Sequence, residues 1–188
     1  MSLTKQSGYI NFASKIKEML SSTYGKDTIL VRAAYPKDTK IKSPLITYKI
    51  KRALNANLKS VKEIAPRQRE VVKGDDGRFR TVWGHKKDYY IIFEIWGEDG
   101  EEADKWAFEF ESFMFENRGY FIEEGIAEKI FFSERYDDTN TNKWRVELSN
   151  RTIVYFVRLE DLWVTDQDQI KSINTDVDIP DINTVSEE

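Results

Sequence analysis

The chain of 188 residues contains no cysteine, a single histidine and four prolines. Without cysteine it cannot form a disulfide bond, a thiolate nucleophile or a cysteine-based zinc site. With His85 alone it cannot build a two-histidine metal site, and no serine motif accompanies that histidine as a catalytic triad requires. Because His85 lies in the polar residues 84–87, which we interpret as a loop, the sequence predicts a structural or solvated histidine.

Long hydrophobic runs and phosphate-binding loops are missing too. No apolar run approaches the ~20 residues needed to span a bilayer, and the first residues lack the pattern of a signal peptide. We therefore expect a soluble protein that is made and used without export through a membrane. Neither a Walker pattern nor a dinucleotide fingerprint occurs, so the sequence indicates no nucleotide cofactor.

Acidic residues are abundant, but their spacing does not indicate catalysis. Glycosidases need two carboxylates across a shaped cleft, which adjacency in sequence does not create. The C-terminal aspartates lack the glycine turn and final glutamate of an EF-hand loop. We predict no enzyme, no metal and no cofactor. The residues considered are Glu101, Glu102, Glu123, Glu124, Asp137 and Asp138, with Asp166, Asp168, Asp176, Asp178 and Asp181 in the tail.

What the chain does have is a strong asymmetry of charge. Residues 1–87 hold 20 Lys and Arg against 7 Asp and Glu, whereas residues 88–188 hold 9 against 26. Opposite charges on two parts of one molecule favour head-to-tail pairing between copies, which closes into a ring when the rotation per subunit allows it. The alternative is that the two halves fold together and neutralise each other.

The first half predicts one helix and several strands. Helical spacing of apolar residues predicts a helix over residues 9–24 that ends at Gly25. Strands are predicted at 28–34 and 45–50, separated by a lysine-rich loop at 36–44 whose prolines do not fit a central strand. Residues 53–66 fit no single pattern. The apolar residues of the predicted helix are Phe12, Ile16, Met19 and Leu20.

A hairpin is predicted next, with strands at 67–72 and 78–83 around a Gly-Asp-Asp-Gly turn at 74–77. Its arginines give it a basic face, which we interpret as a solvated surface or as a docking arm for an acidic protein surface. A nucleic-acid interface is a further alternative, because residues 49–87 hold 12 basic against 4 acidic groups, although the overall pI of about 5.3 argues against it. The arginines are Arg67, Arg69, Arg78 and Arg80.

The region from 88 to 120 predicts a buried strand and an aromatic helix. The strand at 89–96 is apolar on almost both faces, and Asp99 with Glu102 forms a capping box that begins a helix over 101–117. Phe108 and Phe115 lie off its core stripe, so they are covered by the chain's own arms or face a neighbouring subunit. Gly119 is predicted to stop the helix. The core stripe is Ala103, Trp106, Ala107, Phe110, Phe113 and Met114.

Together these elements predict an α+β fold: a mixed or antiparallel sheet of four to six strands with two helices on one face, a protruding hairpin and extended termini. Further strands are predicted at 130–135 and 151–163, with a polar turn at 137–143 between them. We expect one domain over 1–163 and an acidic arm over 164–188. Since two strands are apolar on both sides, the second face of the sheet needs cover, which a second copy would provide.

The order and spacing of several motifs resemble those of tail terminator proteins of tailed bacteriophages. A strand ends in an aromatic residue, a helix begins at an acidic turn (96–99), and a Phe-Glu-x-Phe-Met element (110–114) closes it. The resemblance continues through the Gly-Tyr-Phe at 119–121, residues 130–135 and the late strand at 155–162, and includes the preceding arginine-rich residues 66–70. It covers about residues 66–163.

The resemblance implies an α+β subunit that forms a ring, typically a hexamer, at the head-proximal end of the tail tube. Such a ring stops tube growth and binds the neck or head-completion protein and, in contractile tails, the sheath protein. It implies a virion location, with assembly in the host cytoplasm, and no catalytic residues. We expect Arg67, Arg69, Arg78 and Arg80 at a subunit or tube contact and Phe108 and Phe115 near a subunit boundary. A head-completion or neck protein is the alternative within this class.

Overall fold

The computed structural model describes residues 4–25, 30–33, 44–58, 61–137 and 149–166. The predicted loop at 36–44, the turn at 137–143 and the acidic arm at 164–188 lie almost wholly outside these ranges. The α+β prediction is confirmed. The helices are α1 (Gly8–Tyr24), α2 (Gly100–Glu116) and α3 (Arg118–Glu123), and the strands are β1 (Thr4–Gln6), β2 (Leu30–Ala33), β3 (Leu45–Asn55), β4 (Asn57–Leu58), β5 (Val61–Lys62), β6 (Arg67–Lys73), β7 (Phe79–Gly97), β8 (Lys129–Asp137) and β9 (Ser149–Asp166).

The main sheet has five strands along its path, in the order β1-β9-β7-β3-β2. Strand β2 runs parallel to β3, and the other pairs of this sheet are antiparallel. Strand β8 pairs with the side of β9 that faces away from β7, and β6 pairs with the side of β7 that faces away from β9. The predicted hairpin is therefore β6 and β7, and its tip lies at the sheet edge opposite to β8.

The centre of the sheet is one long ladder between β7 and β9. It runs without a register shift from Arg80 opposite Asp166 to Gly97 opposite Ser149. The separate strands predicted at 78–83 and 89–96 are thus a single strand, and the predicted loop at 84–87 is wrong. These polar residues lie in a strand because neighbouring elements supply carboxylates for their charged side chains: Lys86 pairs with Glu128 and Lys87 with Asp161.

His85 is buried in this ladder, contrary to a solvated position in a loop. Its side chain is 8% exposed, and Nε2 lies 2.8 Å from the carbonyl oxygen of Glu63. Its ring also lies beside that of Trp163. The histidine therefore connects β7 to the segment after β5, which is a structural role.

The three helices pack on one face of the sheet and enclose the core. Residues of β7 and β9 that point to this face pack against the predicted stripes of α1 and α2. Phe93 on β7 lies 4.8 Å from Phe110 on α2, measured between ring centroids, and Phe12 on α1 lies 5.3 Å from Phe121 on α3. The prediction of two helices on one face is confirmed because their apolar stripes share this sheet surface.

One predicted helix end is confirmed and one is wrong. Helix α1 ends at Tyr24 and is followed by Gly25, whose φ of 87° is a conformation that favours glycine. Helix α2 ends at Glu116, and Asn117 caps it by donating from Nδ2 to the carbonyl oxygen of Phe113. Gly119, predicted as the stop, instead lies inside α3. The amide side chain of Asn117 performs the capping that the prediction gave to glycine.

The predicted capping box of α2 is present. The Asp99 carboxylate accepts a hydrogen bond from the backbone N–H of Glu102 at 2.8 Å, and Glu102 accepts one from the backbone N–H of Glu98 at 2.6 Å. Both acids also lie at the helix end where the macrodipole favours negative charge. This start aligns the apolar stripe of α2 with the sheet.

Removing this cap tests its contribution. We expect Asp99→Ala to lower the free energy of unfolding by about 1 kcal/mol, because a backbone donor loses its partner. The control is Ser7→Ala, since Ser7 holds the same position in α1 but makes no side-chain capping bond. Urea denaturation of both variants measures the difference; equal losses would contradict the capping role of Asp99.

The second face of the sheet is largely covered within the chain, so the predicted need for a second copy to cover it is wrong. Trp96 is 5% exposed and Val154 is fully buried. The same face holds a buried ion pair, in which Arg158 donates to Asp88 at 2.6 and 3.0 Å. Exposed large apolar side chains include Phe131 and Phe132 at the sheet edge formed by β8.

Candidate subunit interface

Ion pairs connect the basic and acidic halves of the chain inside one molecule. Five cations from residues 1–87 bind carboxylates from residues 88–188 at 2.5–2.8 Å. Internal neutralisation, one of the two alternatives for the charge asymmetry, therefore occurs. These pairs are Lys49 with Glu94, Lys51 with Glu134, Arg69 with Glu160, Lys86 with Glu128, and Lys87 with Asp161.

The four arginines of the hairpin fall into two groups. Arg69 lies at a bulge in β6, where its guanidinium binds both Glu63 and Glu160, and Arg80 binds Asp76 across the turn. Arg67 and Arg78 are exposed and have no ion-pair partner within the described ranges. Only the second pair of arginines is therefore available to a partner.

The hairpin also has an exposed apolar surface, here called the hairpin face. It consists of Val71, Phe79 and Trp83, which are 36–44% exposed. Cross-strand pairing sets Val71 opposite Thr81 and Lys73 opposite Phe79, so these side chains lie on one side of the hairpin. Lys73 lies beside the aromatic ring and has no ion-pair partner in the described part of the chain. The hairpin face therefore presents an aromatic ring with a lysine beside it.

A groove between α2 and β8 exposes several aromatic side chains. Its volume is about 470 Å³. Phe108 and Phe115 on α2 are 66% and 81% exposed, and Phe131 and Phe132 on β8 are 45% and 52% exposed. We call these four residues the aromatic groove. With about 200 Å² for each phenylalanine, the four rings leave roughly 500 Å² of apolar surface in water, an area typical of interaction sites.

Charged groups surround the aromatic groove. The guanidinium carbon of Arg118 lies 4.8 Å from the centre of the Phe131 ring, and Glu111 accepts a hydrogen bond from Arg135. Glu116, which lines the groove, is exposed and has no ion-pair partner among the described residues. The segment 98–124, which forms this wall, holds ten acidic residues against two basic ones. The wall is therefore acidic, and Glu116 is its available carboxylate.

The floor of the groove is buried. Tyr155 on β9 is 5% exposed, and burial raises its pKa well above the usual value. At the far end of β8, Arg135 and Arg151 both bind Asp104 of α2, and hydrogen bonding from Arg151 lowers the pKa of that carboxyl. These contacts hold α2 and β8 at a fixed separation. The aromatic groove is therefore present before any partner arrives.

Strand β8 forms an edge of the sheet. It pairs with β9 alone within the described ranges, and a bulge between Phe132 and Glu134 interrupts the ladder. A bulge and flanking charges are features that discourage an edge from pairing with another strand. We therefore expect a partner to bind the aromatic side chains of this edge rather than to extend the sheet.

The structure brings together only part of the predicted interface. Phe108 and Phe115 lie in one groove, exposed as the subunit-boundary interpretation requires, whereas the four arginines lie at the opposite edge of the sheet. The sequence analysis missed Phe131 and Phe132 as contact residues. Two adjacent phenylalanines in a short strand were the available signal, since neighbours in a strand point to opposite faces and an edge strand buries neither completely.

The described residues include no group of three or more His, Asp or Glu side chains placed to hold a metal ion. Among them, no helix has the length and apolar character required to cross a membrane. Neither a protein-family model nor a curated protein matches the chain.

Proposed function

We propose that this chain is a structural virion protein: a tail terminator that forms a ring at the head-proximal end of a phage tail tube. In this role it stops tube polymerisation and presents a docking surface for the neck or head-completion protein. The observation that carries the proposal is the exposed aromatic groove at an edge of the sheet. An exposed apolar patch of this size marks interaction sites.

Two further observations support this function. The motifs that resemble tail terminators, residues 96–99 and 110–114, fall on the end of β7 and on α2, the wall of the groove. The molecule also has contact surfaces at opposite edges of its sheet, as a heterologous ring requires. Because Arg69 and Arg80 are bound to carboxylates, the hairpin has a weaker positive field than a nucleic-acid interface would need.

Electron microscopy of negatively stained tail tubes tests the function. We expect tubes assembled with the protein to have capped ends and to stop lengthening. We expect Phe115→Ser to reduce the fraction of capped tubes at least tenfold, because a hot-spot aromatic residue contributes about 2 kcal/mol or more to the free energy of binding. The control is Ile10→Ser, which removes a side chain of similar exposure on α1, outside the groove. Tubes that keep growing in the presence of wild-type protein would contradict the proposal.

A native mass measurement at two salt concentrations completes this test. Rings that form but leave tubes uncapped would favour a head-completion or neck protein instead. A monomer that retards DNA on a gel, more strongly at low salt, would favour the nucleic-acid-binding alternative.

A further inference from the structure

We infer that the aromatic groove of one copy receives the hairpin face of the next copy, in a head-to-tail contact. This inference rests on the proposed ring and names the surfaces that close it. Three properties of the described residues support it: the positions of the two surfaces, their charges and their areas.

The positions exclude insertion of the hairpin into its own groove. Phe131 of the groove pairs with Phe156 of β9, whereas Arg80 of the hairpin pairs with Asp166. Ten positions of β9 separate these pairs, which is roughly 33 Å at 3.3 Å per residue. The groove and the hairpin also lie on opposite sides of the β7–β9 ladder. Each molecule therefore offers one surface at each edge, and only a second copy brings them together.

The charges of the two surfaces are complementary. The hairpin face has Lys73 beside Phe79, with no ion-pair partner within the described ranges. The groove is lined by Glu116, which has none there either, and by Arg118, whose guanidinium lies over the Phe131 ring. Two grooves facing each other would instead place acidic wall against acidic wall. Like charges at an interface disfavour the wrong pairing, so the charges favour hairpin to groove over groove to groove.

The areas are sufficient for a specific contact. The exposed parts of the four groove rings and of the hairpin face amount to roughly 700 Å² of apolar surface. Since protein interfaces are about 57% apolar, a contact that buries this surface has a total area of about 1,200 Å², the lower end of the range for specific association. A contact of this size is weak alone and becomes stable when a ring closes through several of them.

The test uses two variants that each lose one surface. Phe115→Ser removes an 81% exposed ring from the groove, and Phe79→Ser removes a 44% exposed ring from the hairpin. We expect each to weaken self-association by about 30-fold or more in sedimentation velocity, as loss of a hot-spot aromatic does. Ile10→Ser is the matched control and is expected to associate as the wild type does. Circular dichroism establishes that all three variants are folded.

Mixing the two variants distinguishes head-to-tail pairing from groove-to-groove pairing. The Phe115→Ser chain keeps an intact hairpin and the Phe79→Ser chain keeps an intact groove, so a head-to-tail contact gives one-to-one dimers that cannot extend. A groove-to-groove contact would leave Phe79→Ser associating alone, and that result would overturn the inference. Absence of heterodimers in the mixture would also overturn it.

Disulfide cross-linking gives a second test of the pairing that does not require a measurement of affinity. Because the chain has no cysteine, Lys73→Cys with Glu116→Cys introduces the only thiols. We expect mild oxidation of this double variant to yield a ladder of covalent oligomers, whereas each single variant yields none beyond a dimer. A double variant that stops at the dimer would overturn the inference.

The outcomes separate this inference from the proposed function. If wild-type protein caps tubes but the mixed variants fail to pair, the inferred pairing is contradicted and the proposed function is supported. If the variants pair in solution but wild-type protein leaves tubes uncapped, the inferred pairing is supported and the proposed function is contradicted.

Discussion

Replacing Phe110 with alanine is expected to lower the free energy of unfolding by about 3–5 kcal/mol, the usual loss for a buried phenylalanine. Phe110 is 1% exposed and lies at the centre of the core, where its ring packs against Phe93, Phe113 and Tyr155. Truncation removes these contacts and leaves a cavity between α2 and the β7–β9 ladder. Chemical denaturation monitored by tryptophan fluorescence measures the loss.

Phe108 provides the control on the same helix. It lies two residues earlier and is 66% exposed, so Phe108→Ala is expected to change the free energy of unfolding by no more than about 0.5 kcal/mol. The same variant is expected to weaken self-association. Similar unfolding losses for the two variants would mean that Phe108 is buried in the isolated subunit, and the aromatic groove would then not exist as an open surface.

Replacing Arg158 with methionine is expected to cost about 3–5 kcal/mol, because it leaves the carboxylate of Asp88 buried without its cation. The two side chains are 8% and 12% exposed and form two hydrogen bonds. Arg158 also donates to the carbonyl oxygen of Asn57 and so holds the β4–β5 hairpin against the second face of the sheet. Thermal and urea unfolding measure the combined effect.

Two further variants isolate the cause of this loss. Arg67→Met removes an exposed arginine and is expected to have little effect on unfolding. Adding Asp88→Asn to Arg158→Met is expected to recover part of the stability, because no uncompensated charge remains buried. A double variant no more stable than Arg158→Met alone would contradict the uncompensated-charge explanation.

Most of the local structure could be predicted from the sequence because its signals are local. The apolar spacing of α1 and α2, the capping box at Asp99 and the Gly-Asp-Asp-Gly turn at 74–77 depend on residues within one or two turns of one another. Each of these predictions is confirmed. The α+β class follows from the same elements.

The predictions that are wrong depend on distant partners. Residues 84–87 appear polar in sequence, yet Lys86 and Lys87 lie in a strand because Glu128 and Asp161 neutralise them. Burial of the second sheet face likewise depends on the ion pair between Arg158 and Asp88, which lie 70 positions apart in the sequence. The groove itself depends on β8 pairing with β9. The adjacent Phe131 and Phe132 indicated a strand with one aromatic ring on each face, but the sequence did not show that this strand lies at an edge.

The β7–β9 ladder sets the order in which a growing polypeptide acquires these surfaces. Its paired residues lie between 52 and 86 positions apart, and pairing over such separations forms late. Residues 149–166 are made after the hairpin and α2, and until then β8 has no strand to lie against. If copies pair as we propose, a chain that still lacks β9 has only one of the two contact surfaces complete, so unfinished chains cannot extend an assembly.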